Sequence, residues 1–405
     1  MNFSMAGLLA GSLRRTKLLA RLLVPLPRNL DVSRARAEVK KYREALASGF
    51  NVLPAVVAER IDRDSPPVIS VITPAFNAGG FLRSLHDSIQ QLSNAESIEW
   101  VVIDDGSTDD TVDVLEQIAR STQLKRFKFY SIPNCGAAHA LRTAAECADG
   151  EYIAWISADD EYIDNRKIEE DLALARAGAR LVFSRRTYFG AYHDAKEFVE
   201  VPEWYIEGKP LEQLSRISVY NHLNGSSSFF TRDTYRAAGG FDSYLLNVDA
   251  DFDLWAKFLI LGARVQLSAS SVFNRVHRQQ TSASLEKMFI GKNLTRLRLL
   301  LMIQELELDD EFRAALARET TTFYRHVSLR EELLVSTTTV PLFFEAAGAD
   351  VLPKALRGLF GRYICKHREK YYELVEDIVS LASDLLKTPA CATFLKKARS
   401  LRMRR

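Results

Sequence analysis

Two acidic doublets stand at the ends of two short apolar runs. The first run is Trp100-Val101-Val102-Ile103 and leads into Asp104-Asp105-Gly106-Ser107; the second is Tyr152-Ile153-Ala154-Trp155-Ile156 and leads into Ser157-Ala158-Asp159-Asp160. A short continuous apolar run suits a strand buried on both faces of a parallel sheet. Ligands of open α/β sheets bind beyond the carboxyl ends of such strands. Carboxylates gathered there form an acidic pocket, which repels phosphate unless a divalent cation intervenes. A nucleotide bound through a divalent metal is therefore the expected ligand. Phe76 follows an earlier strand and can lie against a flat base. Asp105 can accept a hydrogen bond from an imide N–H of that base.

The elements that must position these residues alternate. Strands are predicted at Val68–Thr73, Ile98–Ile103, Phe127–Ile132 and Tyr152–Ile156. Helical spacing follows in Phe81, Leu82, Leu85, Ile89 and Leu92, and again in Val112, Leu115 and Ile118. Gly79-Gly80 reads as a break, and Ser107-Thr108 as a helix cap. This rhythm implies right-handed crossovers and a sheet covered on both faces. A loop into a strand is expected at Gly225–Phe230, a turn at Gly239-Gly240-Phe241-Asp242, and a helix over Asp251–Leu261. The double proline Pro66-Pro67 closes a helical N-terminal extension, residues 1–65; a core spans 66–285; and 286–405 read as a C-terminal helical region.

The bulk numbers bound the function. Hydrophobic residues make up 47% of 405, enough for a sizeable core. With 54 basic against 52 acidic residues the net charge is +2, which argues against a nucleic-acid partner. The four cysteines (Cys135, Cys147, Cys365 and Cys391) show no CxxC spacing and read as reduced thiols in a cytoplasmic protein. Residues 1–30 carry Arg14, Arg15, Lys17, Arg21 and Arg28 among leucines, with no acid. The apolar stretch Met5–Leu13 is too short to span a bilayer, and its charges follow rather than precede it, unlike a signal peptide. Two readings stay open: a peripheral contact with the inner face of a membrane, or a solvated helix.

Seven motifs occur in an order that resembles the inverting family 2 glycosyltransferases of GT-A fold. They are Ile69–Asn77, Val101–Asp109, Asn134-Cys135-Gly136, Gly150–Ile153, Ala158-Asp159-Asp160, Gly239–Asp242 and Asp251–Trp255. The resemblance covers about residues 66 to 285. It implies a Rossmann-like GT-A core carrying a nucleotide-diphosphate sugar donor, a divalent metal (Mn²⁺ or Mg²⁺), and a glycan or other glycoconjugate acceptor such as a surface polysaccharide. On it, Pro74, Ala75, Phe76, Asn77, Asp104, Asp105, Gly136, Arg142 and Asp159 line the nucleotide. Asp160 holds the metal, with His277 as a further ligand, and Asp251 is the general base that takes the acceptor's proton.

Departures and rivals are part of the same reading. Many relatives carry an acid where this chain has Ser157, and Glu-Asp where it has Ala250-Asp251. Asp249 and Asp253 stand close enough to Asp251 to compete for its role. Arg275, Arg278 and His139 are further candidates for the diphosphate or nucleotide side. None of the four tryptophans follows an Arg, so the Gln-x-x-Arg-Trp motif of processive relatives is missing and single additions are expected. A catalytically silent nucleotide-sugar-binding scaffold is the alternative from another class. A nucleotidyltransferase would need a basic glycine-rich loop after the first strand, which Gly79-Gly80-Phe81-Leu82-Arg83 poorly supplies.

Overall fold

The computed structural model describes residues 30–62, 66–191, 194–326, 340–352, 354, 357 and 373–402. The basic N-terminal stretch before residue 30 lies outside them, and so does Cys365. Ten strands form one mixed sheet: β1 (Ala55–Ile61), β2 (Ile69–Ala75), β3 (Ile98–Asp105), β4 (Arg126–Ile132), β5 (Tyr152–Trp155), β6 (Glu161–Tyr162), β7 (Leu181–Ala191), β8 (Asp194–Glu200), β9 (Ser228–Thr231) and β10 (Val265–Arg275). Their order is β1-β4-β3-β2-β5-β9-β7-β10-β6, with β8 on β7. Strands β4, β3, β2 and β5 are mutually parallel.

Strand β3 shows why this half folds as it does. All eight of its residues are buried. Successive side chains alternate between faces, so Trp100 and Val102 join one apolar cluster while Val101 and Ile103 join the other. Helices α1 (Val32–Ser48), α2 (Gly79–Gln90), α3 (Thr111–Ser121), α4 (Ala137–Cys147) and α5 (Lys167–Arg176) come from the amino-terminal half. Leu82, Leu85, Leu115 and Ile118 of α2 and α3 cover one face, and Leu141 and Ala144 of α4 cover the other. The register pairs Ala75 with Asp104 and Asp105 with Ile132, which brings the ends of β2, β3 and β4 level.

Two expectations are corrected. The segment before Pro66 is helical only in part: residues 55–61 form β1, an edge strand antiparallel to β4. Gly79-Gly80 stands where the break was read, between the end of β2 and the body of helix α2, which it opens. A Cβ at Gly79 would sit 2.0 Å from Asp110 Oδ1, so the glycine permits that close approach. Ser107-Thr108 does not cap α3; Asp109 Oδ1 accepts the Thr111 N–H instead, at 3.0 Å.

The carboxyl half adds α6 (Pro210–Val219), α7 (Ala250–Ile260), α8 (Leu285–Glu305), α9 (Asp309–His326), α10 (Pro341–Ala347), α11 (Glu373–Leu385) and α12 (Pro389–Arg402). It packs onto the same core. Trp255 and Phe258 of α7, Leu294 and Met302 of α8, and Phe394 of α12 belong to the same apolar cluster as Tyr42 and Ile153. Among the described residues no single helix is long and apolar enough to cross a membrane. Helices α11 and α12 pass that test only as a pair bent by 62°, and Leu374, Ile378, Leu381, Leu385 and Phe394 are buried in the core.

Candidate active site

Beyond β2, Phe76 is 51% exposed on a loop otherwise pinned down. Asn77 takes a left-handed conformation (φ 49°). Its N–H donates to Ser107 Oγ at 2.8 Å, and its Oδ1 accepts the Thr108 N–H at 2.8 Å. Ala78 N–H donates to Thr111 Oγ1 at 2.7 Å. The loops after β2 and β3 are thus clipped together by a small amide side chain tolerant of that backbone region. Pro74 and Ala75 end β2 beneath this clip.

Both members of the first acidic doublet are buried and occupied. Asp104 accepts Ser107 N–H at 3.1 Å and Ser131 Oγ–H at 2.9 Å. Asp105 accepts Cys135 N–H at 2.7 Å and Gly136 N–H at 2.9 Å. Burial pushes Asp105 up to about 6, against the two backbone N–H bonds and with the Asp104 charge adding to the rise. Gly136 (φ 91°) packs its α-carbon against Leu246, where a Cβ would lie 3.0 Å from the backbone. The doublet therefore braces the loops after β3 and β4 from within. Arg142 Nη1 donates to Phe241 O at 2.9 Å and Gly239 O at 3.3 Å, and its Nε pairs with Glu146. It fastens α4 to the Gly239–Asp242 turn. His139 also faces inward, bonding Ser243 Oγ and stacking on Phe50.

The second doublet splits by role. Asp160 is 4% exposed; its Oδ2 accepts Asn274 Nδ2–H at 2.6 Å and its Oδ1 the Arg275 N–H at 3.0 Å. Burial, then the Asp159 charge, raises its pKa well above the usual carboxylate range. Asp160, expected from the resemblance to hold the metal, is thus hydrogen-bonded inward to β10. Asp159 is the more accessible one, its side chain 27% exposed, and its Oδ2 lies 2.9 Å from His277 Nε2. Arg275 does not reach for phosphate: its guanidinium bonds Asp159 O and Glu161 and lies 5.2 Å over the Phe81 ring. Phe81 also backs His277 at 5.0 Å. Arg278 is exposed. Ser157 bonds Ser226 Oγ through both its N–H and its hydroxyl, each at 3.0 Å. Among the described residues no three metal-ligating side chains converge.

The start of α7 resolves the competition between three acids. Asp249 (φ 58°) accepts Arg296 Nη1–H at 2.6 Å and Thr295 Oγ1–H at 3.0 Å. Asp253 pairs with Arg298 at 2.6 Å and with Lys257 at 2.7 Å. Asp251 is half-buried and bonds only the Phe252 N–H, at 2.7 Å. Burial, with Asp249's charge second, pushes its pKa up to about 7. The two arginines that neutralise its neighbours come from α8, as do Thr295, bonded to Asp249, and Lys292, whose charge acts on Asp251. Sequence reasoning missed these residues, and also Asn224 and Asn274, which link to each other and on to Asp160. The only trace of them in the sequence was basic residues inside an apolar helical run.

The mixed sheet with its flanking helices is a core of GT-A type. Residues 70–237 match glycosyl transferase family 2, and this domain of the chain belongs to that family. The chain is 28% identical over 219 residues to an uncharacterized glycosyltransferase of Rickettsia typhi, covering 53% of this chain and 66% of that one. It is 35% identical over 106 residues to the putative teichuronic acid biosynthesis glycosyltransferase TuaG of Bacillus subtilis, covering 26% and 41%. The matches thus span about two fifths to two thirds of these relatives' length. Among solved structures, S. aureus TarS 1-349 in complex with UDP-GlcNAc superposes with a TM-score of 0.54 at 17% identity, covering 83% of this chain and 92% of that one.

Proposed function

We propose that this protein is a metal-dependent inverting glycosyltransferase. It moves one sugar per encounter from a nucleotide-diphosphate donor to a hydroxyl on a glycan acceptor. The observation that carries the reading is Asp251. Of three carboxylates at the start of one helix it is the one without a cationic partner, and burial raises it to about 7. A base near the working pH combines the right protonation state with the driving force to take a proton. An inverting displacement needs that one base and no covalent nucleophile.

On this reading Phe76 offers its exposed face to the base of the nucleotide, and the clipped loops around Asp104, Asp105 and Gly136 shape the site. Asp159 and His277 replace Asp160 as the metal-holding pair. One carboxylate oxygen and one imidazole nitrogen already meet there, partly open to solvent, and His277 Nδ1 is left without a partner. Magnesium-like ions bind through one or two carboxylates together with substrate phosphates, so a small protein ligand set fits. When bound, the ion offsets the charge gathering on the leaving diphosphate. Asp160 holds Asn274 and Arg275 in place behind the pair. The unpaired thiols of Cys135, Cys147 and Cys391 suit a cytoplasmic location, and the name of the TuaG relative favours a surface polysaccharide as product.

The test is transfer from a panel of nucleotide sugars with and without Mn²⁺, with the product anomer read by NMR. Inversion that depends on metal and on Asp251 is expected. Full transfer by Asp251→Asn would falsify the mechanism. A scaffold that binds nucleotide sugar without turnover is the second reading. It is favoured by Ser157, which stands in a closed hydrogen-bond pair with Ser226 where relatives carry an acid. Nucleotide binding with no turnover on any acceptor would establish it.

A further inference from the structure

Cations near the start of α7 are matched to partners, with one exception. Arg296 is held by Asp249 and by Ser218 O (2.9 Å), and its guanidinium lies 4.1 Å over the Phe252 ring. Arg298 is shared between Asp242 and Asp253. Lys257 pairs with Asp253. Lys292 lies one helical turn before Arg296 on α8, and its carbonyl accepts from both Thr295 Oγ1 and Arg296 Nη1. The residue is half-buried, its backbone adjoins the Thr295 and Arg296 side chains that hold Asp249, and its charge lies in the fields of Asp249 and Asp251. Among the described residues it makes no hydrogen bond or ion pair with either.

A charged group held partly out of water without a partner is costly, and the cost is relieved when an anion arrives. Burial already lowers the Lys292 pKa, with Arg296 acting in the same direction and Asp249 and Asp251 against it. The bound group must reach Lys292 while a neighbouring hydroxyl reaches Asp251, which faces the nucleophile. That places the anion on the acceptor. The donor diphosphate belongs with Asp159 and His277, whose neighbours are Arg275 and Phe81 rather than Lys292.

We propose that Lys292 is a specificity-determining residue that receives a carboxylate or phosphate of the acceptor, so that the acceptor is an anionic glycan. The inference rests on Asp251 being the base. It adds the class of acceptor, which neither the family nor the fold supplies. A charge-assisted hydrogen bond from a partly desolvated ammonium corresponds to roughly tenfold or more in affinity.

The experiment compares three acceptor probes, methyl β-glucuronide, methyl β-glucoside and methyl β-glucoside 6-phosphate. Each is titrated by NMR into the full-length protein loaded with UDP and Mn²⁺, in wild type, Lys292→Met and Lys292→Arg. Wild type is expected to bind one of the two anions roughly tenfold or more tightly than the neutral glucoside. Which anion binds distinguishes a uronic acid from a sugar phosphate. Lys292→Met should erase the preference, Lys292→Arg should keep most of it, and UDP affinity should stay unchanged in both. No preference for either anion in wild type overturns the proposal. So does a Lys292→Met protein that loses UDP affinity while its discrimination is intact, since the cation would then serve the donor. Failure of wild type to bind UDP with Mn²⁺ at all would instead remove the transferase reading, and this inference with it.

Discussion

At the scale of single residues, the pairing of charges decides what the sequence left open. Asp249, Asp251 and Asp253 are equivalent by type and nearly so by spacing. What separates them is Arg296, Arg298 and Lys257, two of which come from a helix more than 40 positions downstream. No local pattern predicts that choice. Asp251→Asn is expected to lower the turnover number by roughly 10²–10⁴ with nucleotide affinity retained, as checked by initial rates beside UDP titration. Because the free carboxyl titrates at about 7, transfer should fall tenfold per pH unit below that value and level off above it. Stability runs with the same protons. Asp105 and Asp251 bind protons more tightly folded (about 6 and about 7) than at their ordinary value of 3.8. Their contribution to stability is full below about 4 and is lost as pH rises through 6 and 7. Denaturant midpoints measured from pH 4 to 8 in wild type and Asp251→Asn would show the difference. The second doublet was legible as an acidic site, but its two members could not be told apart, since only the hydrogen bonds from Asn274 and Arg275 show Asp160 as the inner one. Asp159→Ala should abolish metal-dependent UDP binding in a properly folded protein, whereas Asp160→Ala should lower the melting temperature as well.

At the scale of elements, legibility followed burial. Strands β2 to β5 were readable because both faces are covered, leaving unbroken apolar runs. Strand β1 was not, because almost every one of its residues is exposed and its sequence carries no alternation for a reader to find. Turns were readable as glycines but not as jobs. The double glycine at 79–80 opens a helix since Asp110 crowds it, while Gly136 needs its positive φ to aim an N–H at Asp105. Gly136→Ala is predicted to cost about 1–3 kcal/mol from that backbone region alone, with further strain against Leu246. Because the same loop clamps Asp105, weaker UDP binding should accompany the lowered melting temperature. A loss of stability with unchanged nucleotide affinity would mean that the loop does not shape the nucleotide site.

At the scale of the whole molecule, the stretch with the family motifs and the C-terminal helices share one apolar cluster. The boundary near residue 285 looked natural because the family motifs stop there. Physically it cuts through one apolar cluster, which runs from Leu30 and Tyr42 to Phe394 and Ala398. It also cuts through a buried ionic network in which Arg298 bridges Asp242 and Asp253 while Thr388 Oγ1 donates to Asp242 at 2.7, 2.6 and 2.6 Å respectively. Removing α8 to α12 would strip the arginine partners from Asp242, Asp249 and Asp253 and bare Trp255 and Phe258. Breaking even one buried pair costs about 3–5 kcal/mol, comparable to the whole stability of many domains. Residues 66–285 expressed alone are therefore expected to be insoluble or collapsed without fixed tertiary structure. The full chain should unfold in one step, with tryptophan fluorescence and far-UV circular dichroism tracing the same urea curve. Two separated transitions, or a soluble 66–285 fragment that binds UDP, would show that the carboxyl helices are an appendage. Coincident curves would mean that Asp251 is set in place by residues the motif never included.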